Sequence, residues 1–299
     1  MIYISYGMLK SASTMLYQLT EEVFRFAGRP PLHLGPPFRE RLSVTNYFDT
    51  VDAKLLEAIE KTVGHADIVL KTHQPPHADV VRLIRSGEIL ASAAIRDPRE
   101  IALSMLDHGR RSRRWRIAEF SEFWTVADCF ASIDDQIATF HRWQELGNVK
   151  IFIYNDICFR TEAVATAIAR QAGFDVVAQA PAQLFRDKST IGQFSKGIPL
   201  RYREMAEADS QLFLSRYASF YREFTFDTPE AHLIATMPNR IRSPRGQFAQ
   251  EMTRFKRLLR YQIGRIFPLG SKKRLNGDAA GREEEPCQQY EEGEADHGD

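Results

Sequence analysis

Three cysteines in 299 residues, Cys129, Cys158 and Cys287, are too few and too widely spaced for a disulfide framework. None belongs to a CxxC pair, so a zinc site is not indicated either. No apolar run approaches transmembrane length. No basic, then apolar leader stands before the first strand-like stretch, because Met1 runs straight into IYISYG. No internal repeat is visible. These absences set the expectation of a cytoplasmic protein in a reducing compartment. Neither sign of charge dominates, with 40 basic against 39 acidic residues. The balance is uneven along the chain, however. Residues 278–299 hold nine acids and one arginine, which leaves a net charge of about +9 on the rest. A basic body suits an anionic ligand such as a nucleotide without identifying it.

A chain of this length, 43% hydrophobic, can bury one large core. Short strand patterns at 2–7, 67–71, 88–95 and 151–154 alternate with helical spacing at 15–27, 52–63, 78–86 and 161–173. Residues 119–146 read as one or two long helices, and 29–50 and 107–120 as irregular. Asp97-Pro98-Arg99-Glu100 supplies an N-cap, an N1 proline and an N3 glutamate, the pattern of a capping box. Alternating strands and helices predict a three-layer α/β fold with a central, mainly parallel sheet. The domain is expected over 1–239, followed by a basic segment at 240–275 and an acidic, disordered tail at 276–299.

In such a sheet the ligand belongs beyond the carboxyl ends of the strands. Three strand ends carry suitable groups. The first is Leu9-Lys10-Ser11-Ala12-Ser13-Thr14-Met15-Leu16. Small residues there let the backbone approach a phosphate, N–H groups at a helix start can cradle it, and Lys10 adds a point charge. Leu9 stands where a Walker loop needs glycine, so this is not that motif; a small-residue turn capping a core helix is the alternative. The second is Lys71-Thr72-His73-Gln74-Pro75, where an imidazole of suitable basicity sits beside a cation. A satisfied structural pair is the alternative there. The third is Arg96, with Ser104 eight residues on, both able to face one anion. Its alternative is Arg96 paired with Glu100 and a solvent-facing Ser104.

Taken together, these motifs resemble the sulfotransferase family that uses 3′-phosphoadenosine 5′-phosphosulfate (PAPS) as donor. KSASTML is similar to that family's 5′-phosphosulfate loop PKSGTTWL, KTHQP to KTHLP, and IRDPREIALS to the arginine-to-serine element that grips the 3′-phosphate. Tyr154-Asn155-Asp156 resembles YED, and Arg186-Asp187-Lys188-Ser189-Thr190-Ile191-Gly192 resembles the RKGxxGxW loop. The resemblance spans Lys10 to about Lys196 and implies a P-loop-like sulfotransferase fold. It implies that Lys10, Ser11, Ala12, Ser13 and Thr14 hold the 5′-phosphosulfate, and that Arg96 and Ser104 hold the 3′-phosphate. Tyr154, Arg186, Lys188 and Ser189 would complete the nucleotide site. Met15 stands where the adenine-stacking tryptophan is expected, Ala12 replaces a glycine, Ser189 replaces another, and Asp187 takes an arginine's place.

The implied chemistry is in-line attack of an acceptor hydroxyl on sulfur, with His73 as general base, Lys71 supporting it and Lys10 stabilising the leaving nucleotide. No metal is implied. Glu21, Glu22 and Glu40 are alternative bases. A P-loop kinase or NTPase, and a non-catalytic nucleotide-binding protein, are the rival functions. The expected acceptor is a hydroxyl-bearing small molecule or carbohydrate, a glycan or lipid-linked group among them, and no nucleic-acid partner is expected. HGRRSRRWR, residues 108–116, could grip an anionic headgroup, with Trp115 against a sugar, or be a solvated basic loop. Within 248–267 an apolar stripe among arginines and lysines reads either as a helix packed on the sheet or as one lying on an anionic membrane, peripheral to its inner face.

Overall fold

Four short strands, β1 (Ile2–Gly7), β2 (Ile68–Thr72), β3 (Ile89–Ile95) and β4 (Val149–Ile153), pair in parallel in the order β2-β1-β3-β4. Parallel neighbours need long crossovers, and helices supply them. These are α1 (Ser13–Phe26), α2 (Ala53–Val63), α3 (Ala78–Ser86), α4 (Pro98–Arg114) and α5 (Phe130–Gln144), while α6 (Tyr154–Phe159) and α7 (Thr161–Ala172) come after β4. Four more follow: α8 (Gln179–Leu184), α9 (Glu207–Arg216), α10 (Ala218–Glu223) and α11 (Pro229–Thr236). The computed structural model describes residues 1–35, 38, 46–175, 177–185 and 197–236. The chain divides into Met1–Pro238 and Asn239–Asp299. The second unit lies outside the described residues, and so do the basic segment, the stripe at 248–267 and the acidic tail.

β1, β2 and β3 are buried on both faces, as a parallel sheet covered by helices requires, while the edge strand β4 is only partly buried. Alternate residues feed two separate cores. Ile4, Tyr6, Ile68, Leu70, Ala93 and Ile95 pack with the apolar sides of α2 to α5. Tyr3, Val69 and Ala94 face the other way, onto α1, α6 and α7. The result is the expected three-layer α/β arrangement, with a four-stranded parallel sheet at its centre. Because β2 lies on one side of β1 and β3 on the other, the β1–β3 junction is the topological switch point, where open α/β sheets place ligands. Among the described residues no helix is long and apolar enough to cross a membrane.

Some expectations are corrected. Asp97 does cap α4, accepting from the Arg99 N–H at 2.8 Å, with Pro98 in the first turn. Glu100 does not reach back to complete a capping box, because its carboxylate is taken by Arg96 and by the Arg201 N–H. The arginine-rich run 108–116 is not an irregular loop: α4 continues to Arg114. Residues 119–126 are turns rather than helix, followed by a single 3-10 turn at Ala127–Cys129 and then α5. Tyr154 opens α6 instead of ending a strand.

Candidate active site

The loop joining β1 to α1 is tightly built. Lys10 and Ala12 both have φ 66°, the left-handed region that L residues enter at a cost of roughly 1–2 kcal/mol each. Such strain persists only where the surroundings dictate it, and here they do. The Met8 N–H donates to the Ala94 carbonyl at 2.9 Å, and the Ser11 hydroxyl donates to the Met8 carbonyl at 2.6 Å. Arg96 donates to the Lys10 carbonyl at 3.1 Å. Gly7 is required below the loop, since a Cβ there would stand 2.5 Å from that of Ser13 and 3.0 Å from that of Ala94. Ala12 occupies the N-cap position of α1 and gives the N–H groups of the first turn no side-chain cap.

β2 delivers the second group. Lys71, 2% exposed, donates from its ammonium to the Thr14 hydroxyl at 2.7 Å, tying β2 to the start of α1. One residue past the strand, His73 Nδ1 lies 2.5 Å from the Gly7 carbonyl. A carbonyl oxygen can only accept, so Nδ1 carries the hydrogen and Nε2 is the basic nitrogen. The turn after His73 is anchored by Trp143, whose indole N–H donates to the Gln74 carbonyl at 2.9 Å and whose ring stacks on Tyr6. Residues 46–48 bond along the outer edge of β2, through the Lys71 N–H to the Asn46 carbonyl and the Phe48 N–H to the Lys71 carbonyl, both at 2.9 Å. This brings the Tyr47 ring beside His73, 5.6 Å between centroids.

The third strand end differs in kind. Arg96 is 5% exposed and donates to Glu100 at 2.9 Å as well as to the Lys10 carbonyl. Its guanidinium lies 3.7 Å from the centre of the Tyr154 ring. Burial pushes the Tyr154 hydroxyl well above tyrosine's ordinary value, so it stays neutral. Arg96 therefore supports the loop from within, and the pairing with Glu100 weighed from sequence is present. Ser104, half-buried on α4, has no hydrogen-bond partner among the described residues.

The structure thus brings Lys10, Ser11, Ala12, Ser13, Thr14, Lys71, His73 and Arg96 to one end of the sheet. Ser11 is spent on the loop's own bonding, and Met15 is buried in the core below α1. Arg186, Lys188, Ser189 and Glu40 lie outside the described residues. Glu21 is not a free polar-face residue: it is 8% exposed and accepts from the Tyr17 hydroxyl at 2.7 Å, with His33 Nε2 2.8 Å away. Burial holds its carboxyl above the ordinary glutamate value. Glu22 pairs with Arg25 on the surface. Sequence reasoning missed Tyr47, His108 and Phe120. The Lys10 ammonium bonds His108 Nδ1 of α4 and sits 4.2 Å from the centre of the Phe120 ring. Nothing local marks these three, although the aromatic pair in NYFD was a signal of a buried edge segment.

These features define a parallel α/β protein with a strained, small-residue loop at its switch point, a tautomer-fixed histidine and two lysines beside it. No protein-family model matches the chain, and no curated protein matches it. Solved structures do. The chain is similar to retinol dehydratase in complex with retinol and PAP, at 13% identity, over 76% of this chain and 83% of that one, with a TM-score of 0.46. It is similar to retinol dehydratase with androsterone and PAP, at 14% identity, over 76% and 82%, with a TM-score of 0.45. It is also similar to mouse sulfotransferase SULT7A1 complexed with PAP, at 13% identity, over 79% and 88%, with a TM-score of 0.48.

Proposed function

We propose that the chain is a sulfotransferase that moves a sulfuryl group from PAPS to an acceptor hydroxyl. The observation that carries this reading is the shared anchoring of base and loop. The Gly7 carbonyl, at the foot of the anion loop, fixes the His73 tautomer, while Lys71 bonds Thr14 at the loop's far end. A general base, two cations and a cradle of N–H groups are therefore held in register by bonds between β1, β2 and α1.

In this reading Ser13, Thr14 and the first-turn N–H groups of α1 bind the 5′-phosphosulfate. His73 Nε2 takes the acceptor's proton as its oxygen bonds to sulfur, and the bond from sulfur to the bridging oxygen breaks. Lys10 stabilises the charge left on that oxygen, since a cation where charge develops lowers the barrier. Lys71 holds Thr14 and adds positive charge beside the base. Ser104 serves the 3′-phosphate, Arg96 holds the loop through the Lys10 carbonyl, and Arg186, Lys188 and Ser189 complete the nucleotide site. For the acceptor, the end of α4 supports a carbohydrate or lipid-linked hydroxyl. There Trp115 and Trp124 are exposed, and Arg113 is fixed on the Trp124 ring by two backbone carbonyls at 2.8 Å.

The test is transfer from labelled PAPS to a panel of hydroxyl acceptors, run beside calorimetry with adenosine 3′,5′-bisphosphate in chelator. Magnesium-independent binding together with label transfer is expected. Binding that requires magnesium, or transfer of phosphate from ATP, would move the chain to the kinase class. Nucleotide binding without turnover on any acceptor would leave it a binding protein.

A further inference from the structure

Two residues in the left-handed region stand at opposite ends of one chain of bonds. Lys10, φ 66°, lies in the β1–α1 loop, and Leu200, φ 54° and 4% exposed, lies far along the sequence. Such strain persists only where the surroundings dictate it. The backbone after Leu200 aims the Arg201 N–H at one oxygen of the Glu100 carboxylate. The other oxygen accepts from Arg96 Nε at 2.9 Å, and Arg96 Nη1 donates in turn to the Lys10 carbonyl at 3.1 Å. Glu100, Arg96 and Arg201 are all buried. One carboxylate therefore joins the donor loop to the 200–204 segment.

Both ends of this relay are firm. The Arg201 guanidinium pairs with Asp107 and with Glu204, each at 2.9 Å. Asp107 stands about two turns beyond Glu100 on α4, so 200–204 is fixed along that helix at two points. Arg96 rests on the Tyr154 ring, 3.7 Å from its centre. Glu100 differs, because it borders a narrow cavity that Tyr154, Leu200 and Phe226 also line. Its carboxylate is aimed by its two donors more than by packing. Since Glu100 offsets the charge of Arg96, the pair adds little net attraction for an anion in the loop. What it supplies is geometry.

We propose that Glu100 is a positioning residue for sulfuryl transfer. It relays the docking of 200–204 through Arg96 to the Lys10 carbonyl, and so fixes where the loop presents the Lys10 cation to the leaving nucleotide. Glu100 acts through Arg96 and Lys10, not by touching nucleotide or acceptor. The inference rests on the sulfotransferase reading above.

Two measurements test it. Glu100→Asp keeps a charge beside Arg96 but draws the carboxylate back by one methylene, so it cannot reach both donors. With labelled PAPS and the best acceptor of the panel, kcat should fall by about 10–100-fold and KM for PAPS change little, since a misplacement of about 1 Å can cost on the order of 10² in rate. In a Lys10→Met background the same substitution should change kcat by less than about twofold, because the group that it aims is gone. A kcat near wild type would overturn the proposal. So would an equal loss with and without Lys10, which would mark a role in the fold at large. Should Glu100→Asp fail to fold, Leu200→Gly loosens the turn that aims the Arg201 N–H and leaves the Arg96–Glu100 pair whole. It should give a smaller loss that again requires Lys10, and a loss independent of Lys10 would overturn the proposal.

Amide hydrogen exchange needs neither nucleotide nor turnover. In Glu100→Asp the Arg201 amide and the Ser11 amide, which donates to the Met8 carbonyl at 3.3 Å, should both exchange faster, by up to about tenfold for one hydrogen bond lost. Amides in the middle of β1 should keep their wild-type rates. Faster exchange at Arg201 with Ser11 unmoved would break the relay and overturn the proposal. Coupled exchange in a protein that transfers no sulfuryl group to any acceptor would instead overturn the sulfotransferase reading, and the positioning role with it.

Discussion

The two ends of the β1–α1 loop are held by groups of the same charge in opposite circumstances. On the β2 side Lys71, Thr14 and His73 make short, separate bonds, and His73 Nε2 is left as the basic nitrogen. On the β3 side the arginines are closed into ion pairs. Arg96 meets Glu100, Arg99 meets Asp97 through both Nε and Nη2, and Arg201 meets Asp107 and Glu204. The Tyr221 hydroxyl donates to Asp97 at 2.7 Å, fastening α10 to the start of α4. A buried charge whose partners are complete is a scaffold, since removing either partner strands the other. The comparison sets the proposed chemistry on the β2 side against rigidity on the β3 side, and it can be broken by substitution.

The largest effect belongs to the β2 side. His73→Ala should lower kcat by about 10²–10⁴-fold, the usual worth of a positioned base, with nucleotide affinity nearly unchanged. A kcat within a few-fold of wild type would return the base to Glu40. On the β3 side Arg96→Ala should cost about 3–5 kcal/mol of stability in urea unfolding, because Glu100 is left with its charge buried. It should weaken adenosine 3′,5′-bisphosphate and adenosine 5′-phosphate alike, through the Lys10 carbonyl. Selective loss of the bisphosphate, with stability retained, would make Arg96 a direct phosphate ligand instead. Ser104→Ala should show that selectivity, losing about 1.5–3 kcal/mol for the bisphosphate alone by calorimetry.

Smaller effects sharpen the same contrast. Ala12→Gly should leave stability within about 1 kcal/mol of wild type, because relief of the left-handed strain is opposed by glycine's greater unfolded-state entropy and by loss of a methyl packed on the α1 core. A larger loss would mean that the methyl's packing outweighs the strain. Among the described residues Glu21 is a buried carboxylate with no arginine ion pair like that of Arg96 with Glu100, and burial raises its pKa. The folded state then binds more protons than the unfolded one above the ordinary glutamate value, so stability falls as pH rises toward the raised folded value. Glu21→Gln should flatten that slope in thermal melts across the same window. An unchanged slope would show that His33 and Tyr17 already balance the burial.

The sequence by itself determined the strands to within a residue or two, the three-layer class and the small-residue turn from β1 into α1, although Ser13 and Thr14 belong to the helix rather than the loop. Apolar periodicity and small-residue turns are local properties, and these features depend on little else. It also placed Lys71, His73 and Arg96 at strand ends, where a parallel sheet gathers groups that lie far apart along the chain. Tertiary structure alone decided what each of them does there. That Arg96 faces Glu100 was one of two open readings, and burial settled it. Whether 108–116 was loop or helix depended on the 118–123 turn packing against Gly109. No spacing rule relates Lys10 to His108, Phe120 or Tyr47. Those contacts exist because β1, β2, α4 and the 46–48 edge converge in space, and their separations in sequence carry no period from which convergence could be read.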